Sequence, residues 1–417
     1  MKQLLILCDA FPPSFAPRMG YLCKYIEEFG WHATVMTEEC ARLNIFRNLG
    51  GDADVARWRW VGASGRWTSR LEWLVKFGLT FCFAQKDKAF ERFVSRRIAG
   101  RRFDAVLCSS YHTFPLGAAL RIARRLQVPL LADIRDVAEQ FTGYECQSHR
   151  LPALRGLEKL PALLYKHISI ARRNRVLRRA DALTTVSDWH VRMLGRLNPH
   201  VELIFNGYDP ELFVPRDVTT QKFVIVFTGR LLSFEMRDPS LFFEAARRLM
   251  DRGMLTESNF EIRWYVDEDS WRTLNTHPGM APLAAVTRPM GLVQSDRIPG
   301  VLHESSVSLQ LANKPSAHGP FGIMTTKLFE AIGTQKPVLC VRSDEDCLER
   351  CISESGIGVA ARTADEAERF LLEQFGQWKE KGFTRAAVTP QAMELYSRRN
   401  QTGQFAELLD RLCGSRR

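Results

Sequence analysis

Long apolar runs are missing from this 417-residue chain. No stretch approaches the roughly 20 apolar residues that a membrane-spanning helix needs. The nearest candidate, Leu71–Ala84, is broken by Glu72 and Lys76. No signal peptide is expected either, because the apolar opening is short and runs straight into the turn-rich stretch Asp9–Ser14. A secreted or membrane-spanning protein is therefore not expected. The ten cysteines form no C-x-x-C pair. Cys347 and Cys351 stand four apart, but no second ligand pair has zinc-like spacing. Cys8 and Cys108 fall inside apolar runs, where cysteine acts as a small hydrophobe. Free thiols in a reducing cytoplasm are the expectation. Glycine (27) and proline (19) are at ordinary levels, which excludes a collagen-like chain, and no repeat of 20–50 residues is visible.

What is present is enough apolar material for two cores. With 45% hydrophobic and 25% charged residues at this length, two domains near 200 residues each are expected. The net charge of +11 is uneven: residues 1–205 carry 32 Lys and Arg against 19 Asp and Glu, and residues 206–417 carry 26 against 28. The segment Arg150–Arg179 holds nine basic residues and one acid, Glu158. The first half is thus expected to meet something anionic: nucleic acid, an anionic leaflet or a phosphorylated small molecule. Apolar residues thread the same half, with Trp58, Trp60, Trp67, Trp73 and Phe77 in one segment and Leu157, Leu160, Leu163, Leu164 and Tyr165 in another. Basic residues beside an apolar face suit a helix lying in a membrane interface, and equally a solvated helix with its other side in the core.

Apolar runs alternate with helical spacing, the pattern of parallel α/β sheets. Strands are expected at Lys2–Cys8, Ala33–Thr37, Ala105–Ser109, Pro129–Asp133 and Ala182–Val186, with helices at Arg18–Phe29 and Leu116–Leu126. After the extended Val201–Phe205, the turn-rich NGYDPELFVPRD marks a domain junction. A second series follows with Phe223–Phe227, Phe260–Val266, Val286–Pro289, Val307–Leu311, Val338–Val341 and Gly358–Ala361. Two doubly wound, Rossmann-like α/β domains facing across a cleft account for the plan. The expected division is 1–205, 206–390 and a helical 391–417 that returns to the first domain.

Ligands of such sheets bind outside the carboxyl ends of strands. The most informative loop there leads into TTKLFEAIG. Thr325 or Thr326 caps a helix, Lys327 lies in its first turn, and Glu330 stands about one turn on. A diphosphate would sit well at that helix start with Lys327 beside it, and Glu330 would reach ribose hydroxyls. The same residues also fit an ordinary capped helix.

Six pieces in order carry a resemblance: DAFPPSFAPRMGYLCKYIEEFGWHATVMT, PLLADIRD, ADALTTVS, IFNGYDPELFVP, FTGRLL and TTKLFEAIGTQKPVL. Together they resemble the family-four retaining glycosyltransferases, which use nucleotide sugars and have the two-domain GT-B fold. The resemblance implies that Glu330 is the second glutamate of the E-x7-E motif and holds the ribose. It implies that Thr325, Thr326 and Lys327 lie where the donor phosphates sit. Arg230, after Gly229, becomes the arginine that stabilises the leaving pyrophosphate. Arg18 and Gly20 fall in the loop lining the amino-terminal side, and His112 sits near the acceptor or the transferred sugar. Asp133, Arg135 and Asp136 match an acceptor-side or structural loop.

Two departures stand out. The first glutamate of E-x7-E is replaced by Gly322, so sugar contacts must come from elsewhere, such as the backbone N–H groups of Gly322–Met324. The lysine usual five residues after the Gly–Arg turn is Glu235, and Arg237 is the nearest cation. The family implies no obligatory metal, and Asp267 and Asp269 in VDEDS read as a polar turn. No cofactor is expected, the nucleotide sugar being a substrate. The expected activity is transfer, with retention, to a lipid-linked or saccharide acceptor in surface polysaccharide assembly, by a cytoplasmic protein peripheral on the inner face of the plasma membrane. The rivals are a nucleotide-sugar epimerase of the same fold and a basic nucleic-acid binder. The second is disfavoured because the charge lies beside apolar helices and not among stacking aromatics.

Overall fold

The computed structural model describes residues 1–14, 16–39, 49–60, 75, 78–80, 82–111, 113–140, 159–231, 233–312 and 321–415, without the side chains of 159–162. Two compact units result, Met1–Phe205 with Gln401–Arg417, and Asn206–Asn400.

Among the described residues the first unit is built on seven parallel strands: β1 (Lys2–Cys8), β2 (Trp31–Glu38), β3 (Asp54–Trp58), β4 (Ala105–Ser110), β5 (Leu130–Ile134), β6 (Ala182–Thr185) and β7 (Val201–Leu203). Their order is β3-β2-β1-β4-β5-β6-β7. β1 is a continuous apolar run because helices cover both faces of the sheet. Leu5 and Leu7 point to one side, where Phe90, Val94, Leu116 and Ile122 of the Gln85–Arg97 and Leu116–Leu126 helices pack. Leu4 and Ile6 point to the other, against Met19 and Leu22 of the Pro17–Tyr25 helix and Phe405, Leu408 and Leu409 of the Arg398–Gly414 helix.

The second unit has six parallel strands among the described residues: β8 (Phe223–Thr228), β9 (Phe260–Tyr265), β10 (Thr287–Pro289), β11 (Val307–Leu311), β12 (Val338–Val341) and β13 (Gly358–Ala361). The order is β10-β9-β8-β11-β12-β13. Phe223, Ile225 and Phe227 of β8 meet Phe242 and Phe243 of the Ser240–Asp251 helix and Phe370 and Leu371 of the Ala364–Lys381 helix. In each sheet the winding reverses once, between β1 and β4 and between β8 and β11.

Three details differ from the sequence expectation. The edge strand β3 was not foreseen. The Arg18–Phe29 stretch divides into an α-helix over Pro17–Tyr25 and a 3-10 turn over Ile26–Phe29. The last stretch is not one helix from 391: it breaks between Pro390–Leu395 and Arg398–Gly414. At the break, Tyr208 N–H donates to the Tyr396 carbonyl and Arg398 N–H to the Tyr208 carbonyl. The backbone at Tyr396 and Arg398 is thus tied to the segment that enters the second unit, and the chain rejoins the first unit only at Gln401.

Candidate functional site

β8 ends in Thr228–Gly229, and Gly229 adopts φ +118°. A Cβ there would lie 2.6 Å from Cε of Lys327 and closer still to its Nζ, so only glycine lets the lysine end rest against this turn. Lys327 belongs to the Thr326–Thr334 helix, whose Leu328, Phe329, Ala331 and Ile332 are buried and fix its register. Its Nζ lies 5.2 Å from the centre of the Phe227 ring. Burial first, and the nearby Arg237 second, pull the Lys327 pKa down to about 7 against the attraction of Glu330. Glu330, one turn along, is pushed up to about 7 by burial, opposed by Lys327 and Arg398.

Phe227, Arg237 and Lys327 border a pocket. Its floor is the carboxyl ends of β8 and β11, represented by Phe227, Gln310, Leu311 and Ala312. That is the point where the sheet order reverses, the place where doubly wound sheets take ligands. Arg237, Thr325 and Lys327 also line the pocket. Thr325 is the N-cap residue of the helix, yet its side chain makes no cap hydrogen bond. The polar start of the helix is thus not closed by its own cap. Gly322, at φ +65°, and Ile323 line the entering loop, and Asp344 and Asp346 come from the turn after β12.

In the first unit the corresponding reversal point holds Asp9 and Arg135. Arg135 Nη2 lies 2.7 Å from Asp9 Oδ1, and Asp9 Oδ2 accepts from the Tyr111 N–H at 2.8 Å. Asp136 is half-buried, and burial pushes its pKa up to about 6, against Arg135 and a hydrogen bond with Gln140.

Residues 15–207 match the model of the glycosyl transferase 4-like domain. Most of the first unit is thus similar to that domain. The two-unit fold agrees with it across the whole chain. A glycosyltransferase from Rickettsia africae superposes with a TM-score of 0.62 at 12% identity, covering 99% of this chain and 98% of that one. HepE of Anabaena, solved in complex with UDP, gives 0.62 at 12% identity over 99% of this chain and 100% of its own. Sucrose-phosphate synthase from Thermosynechococcus elongatus gives 0.58 at 13%, with both chains fully covered. No curated protein is significantly similar in sequence. The fold is that of GT-B glycosyltransferases, and residues 15–207 are similar to the glycosyl transferase 4-like domain.

Lys327, Thr325, Gly322 and Arg237 gather at the pocket, with Gly229 against the lysine. Several sequence assignments need correction. Arg230 does not join the pocket wall: it is 62% exposed, and its Nε pairs with Asp267 Oδ2 at 3.1 Å. Asp267 caps the Glu268–Asn275 helix by accepting from Ser270 N–H, which fixes where Arg230 is drawn. The cation beside Lys327 is Arg237, whose Nη1 donates to the Arg230 carbonyl. Met324 is buried, and Thr326 is exposed and not part of the lining. Glu330 is half-buried beside Lys327 and does not line the pocket as the structure stands.

Arg18 is not an acceptor-side group. It is buried, bonds Asp133 with Nε and Nη2, and donates to the Ile204 and Phe205 carbonyls at 2.8 and 2.7 Å. Asp133 also accepts from Ser109 and Thr184 at 2.9 Å, so the pair is a structural knot near the carboxyl end of the interior strand β5. Gly20 serves packing: a Cβ would lie 2.6 Å from Pro12 Cγ. His112 lies outside the described residues, as do Trp67, Trp73, Phe77 and Leu157. Sequence reasoning missed Asp344, Asp346, Gln310 and Arg398. The signal for the first two was available, since SDED follows an apolar strand with only Arg342 between. Asp269 pairs with Arg272 at 3.3 Å on an exposed helix.

Proposed function

We propose that this glycosyltransferase takes a nucleotide sugar in the second unit and transfers the sugar, with retention, to a lipid-linked or saccharide acceptor engaged by the first. The observation that carries this reading is the pocket at the β8/β11 reversal, walled by Lys327, Arg237 and the start of the Thr326–Thr334 helix. A leaving nucleoside diphosphate gains negative charge as the sugar bond breaks, and fixed cations with unpaired N–H groups stabilise that charge. HepE, of the same fold, binds UDP and UDP-glucose, which supports a nucleotide-sugar donor here. Glu330 serves the ribose once the donor is seated, and Arg135 and Asp136 serve the acceptor. No divalent metal takes part.

The acceptor is membrane-anchored, in surface polysaccharide assembly, and the protein is peripheral on the cytoplasmic face of the membrane. Among the described residues no helix is long and apolar enough to cross a membrane. Leu163 (48% exposed) and Leu164 (52%) stand on the Lys159–Leu177 helix, and Phe83 (63%) stands just before the Gln85–Arg97 helix. Arg172 of that helix donates to the Thr80 and Cys82 carbonyls, joining the two apolar stretches. Exposed apolar side chains with Lys166, Arg175, Arg178 and Arg179 on the same helix and its end support contact with an anionic surface.

The test is a transfer assay with UDP-, GDP-, ADP- and dTDP-sugars and membrane extract. One donor should be consumed only when acceptor is present, in EDTA as well as without it, and the product linkage should keep the donor's anomeric configuration. Donor turnover without acceptor would mean an epimerase or hydrolase instead.

A further inference from the structure

Just past the carboxyl end of β5, the first unit holds a chain of polar side chains that runs from Asp136 into the interior. Gln140 closes the 3-10 turn Ala138–Gln140, and His190 stands in the Asp188–Leu194 helix after β6. Each of the two is only 1% exposed. Gln140 Oε1 lies 2.8 Å from His190 Nε2 and accepts from the Val137 N–H at 3.4 Å. A backbone N–H can only donate, so it fixes which end of the amide is the oxygen. His190 must then donate from Nε2, which leaves Nδ1 as a bare acceptor. In agreement, Nδ1 is buried with no hydrogen-bond partner. Burial holds the His190 pKa down at about 4, against Glu139 and with Arg173, so the ring is neutral.

With its oxygen occupied, Gln140 has its NH2 for Asp136, and this hydrogen bond favours the ionised carboxylate. As mere packing, an apolar pair would fill the same space without an unpaired ring nitrogen. The cost makes sense if the chain serves its half-buried outer member, Asp136. Asp136 stands beyond a strand end, where sheets of this kind take ligands. Its neighbour Arg135 is already paired with Asp9. An ionised carboxylate only accepts, so it repels phosphate and suits a hydroxyl.

Resting on the acceptor reading above, we infer that Asp136 holds a hydroxyl at the saccharide end of the acceptor, and that Gln140 and His190 are positioning residues that aim its carboxylate. The group recognised at this point is thus a polyol and not a phosphate. Charge-assisted bonds of this kind are stronger than neutral ones, and small errors of placement cost rate. The charged groups around the chain are Arg135 and Asp9 beside Asp136, and Glu139 with its buried partner Arg173 beside His190.

The experiment follows initial rates of sugar transfer from the preferred nucleotide sugar to membrane extract, with the amount of extract and the pH varied between about 5 and 8. The wild type is compared with Asp136→Asn, Gln140→Leu, His190→Leu and His190→Gln, the last of which keeps an N–H for Gln140. Thermal unfolding checks each fold, and calorimetry with UDP, GDP, ADP and dTDP checks the donor site. Asp136→Asn should raise the apparent acceptor KM about tenfold and leave diphosphate affinity unchanged. In the wild type the rate should fall as pH drops through about 6, where Asp136 takes up a proton. Gln140→Leu should move that fall to higher pH, because the bond that favours the carboxylate is gone. His190→Leu should do the same, and His190→Gln should restore part of the wild-type profile. Where a buried variant fails to fold, Asp136→Asn still decides through the acceptor KM. An unchanged acceptor KM in Asp136→Asn, or an unmoved pH profile in a folded Gln140→Leu, overturns the assignment while leaving transfer standing. A wild type that transfers to nothing in the extract overturns the acceptor reading, and the assignment with it.

Discussion

Single residues set the chemistry of the pocket. Burial leaves Lys327 near half-charged at neutral pH, with its pKa at about 7, and holds Glu330 at about 7 from the opposite direction. An incoming diphosphate favours the protonated form of Lys327. Binding above pH 7 should therefore take up protons, and affinity should fall as pH rises through and beyond 7. Calorimetry at pH 8 in buffers of different ionisation enthalpy should give a net uptake near one proton, and a net release would contradict the scheme. Arg237, and not Arg230, borders Lys327. Arg237→Ala should cost about tenfold or more in diphosphate affinity, whereas Arg230→Ala should change it by less than about threefold, since Arg230 is an exposed group paired with Asp267. This distinction was not legible from the sequence. Which arginine turns inward depends on Asp267, which lies 37 positions beyond Arg230 and becomes its neighbour only once β9 pairs with β8.

At the scale of elements, the second sheet delivers the lysine through one glycine. Gly229→Ala should abolish diphosphate binding, because its methyl group would collide with Lys327 and its φ of +118° is strained for alanine. In the first unit, Arg18 and Asp133 form an ion pair in which both side chains are buried. Arg18→Ala leaves that carboxylate uncompensated and should destabilise the first unit by about 3–5 kcal/mol in chemical denaturation. An unchanged midpoint would show that the pair is not the knot described here. The strands Lys2–Cys8 and Val338–Val341 were readable residue for residue, since burial on both faces demands apolar runs. β3 escaped because an edge strand with Asp54, Val55 and Arg57 exposed carries no such run. Arg18 was misread for a related reason. Local sequence shows a basic residue opening a helix and says nothing of an aspartate 115 positions away.

For the whole molecule, charge and apolar exposure coincide in the first unit, but less charge is available than the composition suggests. Arg173 is buried against Glu139, so it leaves the basic surface of the Lys159–Leu177 helix. Vesicles rich in phosphatidylglycerol should bind the protein and neutral vesicles should not. Replacing Phe83, Leu163 and Leu164 by serine should release it with nucleotide affinity intact. Binding that ignores lipid charge would remove the membrane from the account. The measurement closest to the core of the proposal is titration calorimetry of the intact protein with UDP, GDP, ADP and dTDP, repeated with Lys327→Ala. One diphosphate should bind the wild type with micromolar affinity, about −8 kcal/mol, and lose at least about tenfold in the variant. A wild type that binds none of the four, or a variant that binds as well as the wild type, would contradict the assignment of this pocket to the donor.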